Sequence, residues 1–73
     1  MVHPLSSFKK YTFIINKHDY KSQQPWLWNN LSLVSDWWEM EEVPITHHYA
    51  LTVLRIDAYK VEKTLKKFKI KIY

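Results

Sequence analysis

Apolar and polar residues follow one another along the chain in patterns that predict three β-strands. An aromatic and β-branched run at residues 11–16 ends at a polar cluster, as a buried strand does. Residues 48–56 carry apolar side chains on both faces, which predicts a strand in the middle of a sheet. Residues 67–73 alternate between lysine and apolar side chains up to Tyr73, which is typical of a strand with one buried and one solvent-exposed face.

A long helix is predicted between the first two of these strands. After a polar loop at residues 17–24, Pro25 suits a first helical turn and Val43-Pro44 ends helical geometry, so the helix is expected over Trp26–Glu42. Its core-facing residues recur at helical spacing, namely Leu27, Leu31, Val34 and Trp38. The alternative is two shorter helices broken near residues 32–35, with Ser35 capping the second.

A short helix is predicted after the second strand. Asp57 can cap this helix, and Glu62 can pair with Lys66 one turn later. Its apolar stripe consists of Ala58, Val61 and Leu65.

The element order is therefore β-α-β-α-β. It predicts an α+β fold with a three-stranded sheet, parallel or mixed, packed by one long and one short helix. Residues 1–10 are expected to form a polar N-terminal arm, and residues 11–73 a single compact domain. A ferredoxin-like sandwich would need a fourth strand, and the segment from Ile45 to Ile56 contains no turn signal that could produce one.

Composition narrows the chemistry that is open to the chain. Its 73 residues include no cysteine and no glycine, which excludes disulfides, thiolate zinc sites and glycine-rich phosphate-binding loops. Four tryptophans, five tyrosines and three phenylalanines can fill a small core without such cross-links. No apolar run approaches the roughly 18 residues of a membrane span, and no secretory signal is recognised, so a cytoplasmic protein is expected. The bias toward lysine, isoleucine and tyrosine favours an AT-rich source such as a virus or mobile element, in which case the location is the host cytoplasm.

The tryptophan-rich segment is the first candidate for function. On the predicted helix, an apolar surface beside the core stripe is wider than a small sheet can cover, which favours contact with a partner. This surface and its acidic flank consist of Trp26, Leu33, Trp37 and Met40 together with Asp36 and Glu39. The alternative is that the loop or the N-terminal arm folds over these side chains.

The lysine-rich C-terminus is the second candidate. Six lysines against the single acid Glu62 give a charge of +5 in the last fourteen residues. Such a region attracts phosphate groups or an acidic protein surface, although lysines on a terminal strand can also serve only to prevent aggregation. Binding of single-stranded nucleic acid is disfavoured because the tryptophans lie among acidic residues. The basic face consists of Lys60, Lys63, Lys67, Lys69 and Lys71.

Patterns typical of catalytic or metal sites are not found. The adjacent His47 and His48 at a strand start would point to opposite faces, and the carboxylates of Asp36 and Glu39 lie on the solvent side of the predicted helix. A chain of this length also has little room for a deep pocket. No enzymatic activity, metal or cofactor is therefore expected.

The sequence favours a small non-enzymatic interaction module. It is expected to dock on a partner protein and to modulate or inhibit a larger assembly through the tryptophan-rich helix and the basic C-terminal face. Two alternatives stay open. One is sequence-nonspecific nucleic-acid binding through the lysine face, and the other is a homo-oligomeric structural protein that buries its tryptophans.

Overall fold

The computed structural model describes residues 9–73, which form three strands and two α-helices. The predicted arm at 1–10 lies outside the described residues apart from Lys9 and Lys10, and Lys10 already belongs to the first strand. In chain order the elements are β1 (Lys10–Asn16), α1 (Lys17–Val34), β2 (Trp38–Val43), β3 (His48–Leu54) and α2 (Ala58–Lys67), with a 3-10 turn at Arg55–Asp57 before α2.

The sheet has the strand order β1-β3-β2, and both pairs of neighbouring strands are antiparallel. The α+β class, a sheet of three strands and the central place of β3 are confirmed, but the third strand is β2 and not the predicted strand over residues 67–73. The prediction of a parallel or mixed sheet was wrong, because it overlooked β2. This strand returns to β3 through a turn at residues 44–47, so the connection is a hairpin rather than a crossover.

Helix α1 begins nine residues earlier and ends eight residues earlier than the predicted helix over Trp26–Glu42. Residues 17–24, predicted as a loop, form its first turns, because the Asn16 side chain accepts a hydrogen bond of 2.9 Å from the Asp19 backbone N–H and caps the helix. Pro25 lies inside the helix rather than in its first turn. The helix ends where Ser35 adopts an extended conformation, with its N–H bonded to the Leu31 carbonyl at 2.9 Å.

Strand β2 replaces the second half of the predicted helix. Its side chains alternate, with Trp38 and Met40 half-buried and packed against the core, and Glu39 and Glu41 exposed. The alternative prediction of a break near residues 32–35 places the end of α1 correctly, but the element that follows is a strand and not a helix.

Helix α2 agrees with the prediction in its extent and its buried residues. Val61 and Leu65 are fully buried, and the Glu62 carboxylate lies 3.3 Å from the Lys66 ammonium. Asp57 does stand at the N-cap position, but its side chain makes no capping bond. Its buried carboxylate instead accepts a hydrogen bond of 3.4 Å from the Asp36 N–H, which ties the start of α2 to the end of α1.

The predicted strand over residues 67–73 was wrong for most of its length. Lys67 is the last residue of α2, and only Ile72 pairs with a strand, through an isolated antiparallel bridge to Ile15 of β1. This short segment lies beside β1 on the edge away from β3. The chain therefore follows the split β-α-β arrangement of ferredoxin-like folds, with the position of a fourth strand reduced to one bridge.

The core lies between the helices and one face of the sheet. Because paired residues of neighbouring strands share a face, Phe13, Leu51 and Met40 point to the same side, where both helices pack. The residues that fill this core are Phe13, Ile15, Tyr20, Leu27, Leu31, Leu51, Val53, Val61, Leu65 and Ile70. Among the described residues 9–73, no helix packs on the opposite, outer face of the sheet.

Candidate interaction surfaces

The residues predicted to form one partner-binding surface lie on α1, on both faces of β2 and in the connection between these two elements. Trp26 and Leu33 lie on α1, and Met40 lies on the core side of β2. Glu39 is exposed on the outer face of the sheet, where it pairs with Thr52. Asp36 and Trp37 lie in the connection between α1 and β2. The division follows from the end of α1 at Val34, since the segment beyond it no longer follows the helical period.

The outward face of α1 combines two large apolar side chains. Trp26 is 61% exposed and Leu33 is 82% exposed. They are seven residues apart, which places them about 20° apart around the helix and about 10 Å apart along it. The buried residues Leu27 and Leu31 lie on the other side of the same helix. We call Trp26 and Leu33, with the helix surface between them, the α1 face.

Charged residues are missing from this part of the helix. No Asp, Glu, Lys, Arg or His occurs from Ser22 to Ser35, although charged residues make up 25% of the chain. The polar residues on the outward side are small or amide side chains, among them Ser22 and Asn29, and both are exposed. The α1 face is therefore an uncharged surface with two protruding apolar groups, which is typical of a protein contact.

Trp28 belongs to the scaffold rather than to the α1 face. Its indole Nε1–H donates a hydrogen bond of 2.9 Å to the Tyr20 hydroxyl, and its ring lies 6.1 Å from the ring of Trp38. Tyr20 is buried, and this burial raises the pKa of its hydroxyl. The three aromatic side chains together connect α1 to β2.

Trp37 lies on the outer face of the sheet, in line with Lys10 and Leu54 of the neighbouring strands. The Lys10 ammonium lies 4.8 Å from the centre of the Trp37 ring, and the indole is half-buried. Lys10 therefore covers part of the ring by a cation–π contact. Trp37 lies away from the α1 face and does not extend it.

The predicted basic face is partly helical. Lys60, Lys63 and Lys67 are exposed and lie within about 60° of one another around α2, as predicted. The exposed Tyr59 (70%) lies beside them, with the Lys63 ammonium 5.2 Å from its ring centre. Lys69 and Lys71 follow the helix and are also exposed, but they do not form the predicted strand face with Lys67.

Three glutamates lie on β2, at the edge of the sheet away from β1. Glu39 and Glu41 are exposed on the outer face of β2. Glu42 lies on the other side of the strand, where its carboxylate accepts a hydrogen bond of 2.6 Å from the Lys17 ammonium. This bond lowers the pKa of Glu42 and raises that of Lys17, since each charge stabilises the other.

The histidines are distributed over separate parts of the chain. His47 is the last residue of the turn before β3, whereas the His48 ring contacts the Tyr73 ring at a tilt of 42°, with 4.2 Å between the ring centres. His18 is exposed on α1, and His3 lies outside the described residues. Over residues 9–73, no three His, Asp or Glu side chains are grouped so that they could hold a metal ion.

Sequence reasoning did not anticipate several exposed apolar side chains or the free edge of the sheet at β2. Ile45 in the hairpin turn is 91% exposed and Ile56 in the 3-10 turn is 72% exposed. Ile45 lies outside every predicted element, whereas Ile56 was predicted as the last residue of the second strand, which in fact ends at Leu54. Within residues 9–73, neither helix is long and apolar enough to span a bilayer.

Comparison with known proteins gives no relative from which a function could be transferred. No protein-family model, curated protein or solved structure matches the chain. The α1 face, the lysines of α2 and the edge of β2 are therefore the features from which function is argued.

Proposed function

We propose that the chain is a non-enzymatic interaction module that docks on a partner protein through the α1 face and thereby modulates a larger assembly. The observation that carries this proposal is the exposure of Trp26 and Leu33 on the side of α1 that faces away from the core. Both residues protrude from a helix whose inner side is already fully packed, so folding of the monomer does not require either of them.

The size of these two groups makes them suitable anchors. Complete burial of a leucine-sized side chain is worth about 1.5–3 kcal/mol, and tryptophan is among the residues that most often dominate interface energies. Two anchors spaced at i and i+7 match the way in which an amphipathic helix enters an apolar groove of another protein. The partner surface is therefore expected to be an apolar groove with uncharged rims, about 10 Å or more in length.

The proposal is tested by comparing two double variants with the wild-type chain. In the first variant, Trp26→Ala and Leu33→Ala remove the α1 face. In the control variant, Tyr59→Ala and Ile56→Ala remove an aromatic and an aliphatic side chain of similar exposure from another part of the surface. All three proteins are used as baits for quantitative capture from cells of the source, and binding of each captured partner is then measured with purified proteins.

The expected result is a partner that the wild type and the control variant retain and the α1-face variant loses, with affinity reduced at least about 30-fold. Equal capture by all three proteins, or loss in the control variant alone, would remove the α1 face from consideration. The molar mass from light scattering is measured at rising protein concentration for the wild type and the α1-face variant. If the wild type forms a dimer that this variant does not form, the α1 face joins two copies of the chain instead.

A second candidate function is supported by the lysines of α2. Three exposed lysines on one side of the helix, with the exposed ring of Tyr59 beside them, form a surface that could neutralise the phosphates of a nucleic acid. Binding of this kind weakens steeply with salt, with a slope of about −0.9 per phosphate contact in a log–log plot for duplex DNA. A titration of labelled DNA and RNA at about 50 and 200 mM salt tests it, and Lys60→Ala with Lys63→Ala should reduce the slope by about 2.

A further inference from the structure

Within the part of the chain that the structure describes, the edge of the sheet at β2 leaves part of its backbone unpaired. The Arg55 N–H donates to the Lys9 carbonyl at 2.8 Å, in register with the β1–β3 pairs, so the odd-numbered residues of β3 bond to β1. The even-numbered residues of β3 therefore face β2. In the β2–β3 register, they bond to Glu39, Glu41 and Val43.

The remaining residues of β2 direct their backbone groups away from the sheet. These residues are Trp38, Met40 and Glu42, and over residues 9–73 no other segment bonds to their N–H or C=O groups. Each of these N–H and C=O groups is positioned to form a backbone hydrogen bond with another strand. An edge with outward-directed backbone groups at three alternate residues is the geometry that an added strand requires.

The side chains of β2 divide into two rows with different chemistry. On the core side, Trp38 and Met40 are half-buried and present apolar surface at the edge, and the row ends at the exposed Glu42, which is bonded to Lys17. On the outer side, the exposed Glu39 and Glu41 form a negative row. A strand added to this edge would place every second side chain against each row.

The opposite edge of the same sheet shows which kind of strand this protein accommodates. There, the C-terminal segment lies beside β1, with the Asn16 N–H bonded to the Lys71 carbonyl at 3.0 Å and the Tyr73 N–H bonded to the Ile14 carbonyl at 2.8 Å. Its Ile72 is half-buried against the core, and its Lys71 is exposed. The C-terminal segment, in which basic and apolar residues alternate, therefore already bonds to one edge of this sheet over residues 71–73.

We propose that the free edge of β2 binds an extended segment of a partner protein in which apolar residues alternate with lysine or arginine. The apolar residues lie against Trp38 and Met40, and the basic residues face Glu39 and Glu41. Pairing of β2 with the β2 strand of a second copy is disfavoured, because it would bring the glutamates of both copies together. This site is separate from the α1 face, and the two proposals can fail independently.

The probe for this site is a synthetic peptide with the sequence of residues 67–73, blocked at both ends. The control is the same peptide with its three lysines replaced by glutamates. Amide hydrogen exchange of the full-length chain is followed by NMR with and without peptide. The expected result is slower exchange at Met40 and Glu42, whose N–H groups point outward, and unchanged exchange at Glu39 and Glu41, which already bond to β3.

Matched charge reversals test the role of the outer row. Glu41→Lys changes the charge at the edge, whereas Glu62→Lys makes the same change on α2, where Glu62 pairs with Lys66. Peptide affinity at low salt is expected to fall about threefold to tenfold in the first variant and to stay within twofold in the second. Trp26→Ala should leave peptide binding unchanged, which keeps this test distinct from that of the α1 face.

Three results would overturn the proposal. The first is equal binding of the lysine and glutamate peptides. The second is faster exchange at Tyr73 without protection at β2, since the peptide would then displace the chain's own C-terminal segment from Ile14. The third is the absence of any change at Met40 and Glu42 at millimolar peptide.

Discussion

Replacement of Lys69 by glycine should stabilise the protein. Lys69 has a φ angle of 58°, in the left-handed region, at the position just after α2 where a left-handed residue, usually glycine, ends many helices. The Lys69 N–H bonds to the Lys66 carbonyl at 2.9 Å and the Ile70 N–H bonds to the Leu65 carbonyl at 3.0 Å, the two bonds of a Schellman motif. Ile70 and Leu65 are both buried, which fixes the turn although the sequence offers no glycine for it.

The magnitude follows from two opposing terms. A side chain with a Cβ atom costs roughly 1–2 kcal/mol in the left-handed conformation, and glycine removes this cost. Glycine also gives the unfolded chain more freedom, which costs about 0.4–1 kcal/mol. The net gain expected for Lys69→Gly is about 0.5–1 kcal/mol, which corresponds to a rise in Tm of about 2–8 °C for a domain of this size.

Urea denaturation, monitored by tryptophan fluorescence, measures the change. Lys69→Ala is the matched control, because it removes the same charge and the same exposed side chain but keeps Cβ, and it should stay within about 0.5 kcal/mol of the wild type. Lys63→Gly, in the middle of α2, should instead lower stability by about 1 kcal/mol. If Lys69→Gly is no more stable than Lys69→Ala, the left-handed backbone at this position does not carry the strain assigned to it.

The remaining predictions concern the core and the titrating groups. Leu31→Ala should lower the free energy of unfolding by about 2–5 kcal/mol, because Leu31 is fully buried. Leu33→Ala, two residues along the same helix, should change the free energy of unfolding by less than about 0.5 kcal/mol. Similar losses in the two variants would contradict the assigned faces of α1. Burial raises the pKa of Tyr20 in the folded state, so the stability that depends on its neutral form is present below the ordinary tyrosine pKa of about 10 and is lost as pH rises through the higher folded value. Tyr20→Phe should therefore flatten stability against pH above about 10, and an unchanged alkaline slope would argue against this. The hydrogen bond from Lys17 lowers the pKa of Glu42, so this bond stabilises the fold above the ordinary glutamate pKa of about 4.3, and the stabilisation is lost as pH falls through the lower folded value. Glu42→Gln should therefore make Tm less sensitive to acid. A variant whose Tm falls with acid as steeply as that of the wild type would refute the assignment.

The parts of the fold that sequence predicts well are those in which burial and local preference agree. Strand β1 was placed within one residue of its observed start, because Phe13 and Ile15 are buried in a run of β-branched and aromatic residues. Strand β3 was placed centrally because its apolar side chains occupy both faces. Helix α2 followed from Val61 and Leu65 at helical spacing.

Helix α1 and strand β2 were predicted poorly because their local signals conflict. The first turns of α1 are almost wholly polar, and the cap formed by Asn16 and the Asp19 N–H was a start signal that the polar composition concealed. Pro25 suggested a helix start, but the helix continues through it. Tyr20, before the proline, and Leu27, after it, are both buried in the core. Tertiary packing overrides the local preference at these positions.

Strand β2 shows how two periods can fit the same residues. Trp38 and Val34 are four residues apart, which fits a helical stripe, whereas the order Trp38, Glu39, Met40, Glu41 alternates as a strand does. The proline at position 44, at the start of a four-residue turn, was a hairpin signal that was taken as a helix end. Only the pairing with β3 decides between the two interpretations, and that contact is not local in sequence.

The place of Met40 in the sheet determines how a binding study of this protein has to be designed. Adjacent residues of a strand point to opposite faces, so Met40 packs on the core while Glu39 faces solvent, and neither can form one surface with Trp26. Met40→Ala removes a side chain that contacts buried residues and should reduce stability by about 1–2 kcal/mol, and weaker binding in this variant could therefore reflect a loss of folded protein. Trp37→Ala removes the ring that the Lys10 ammonium covers, so weaker binding in this variant could likewise reflect a loss of folded protein. Trp26 and Leu33 are free of it, because their exposed side chains support no part of the core, so lost binding in these variants at unchanged Tm can be attributed to the surface itself.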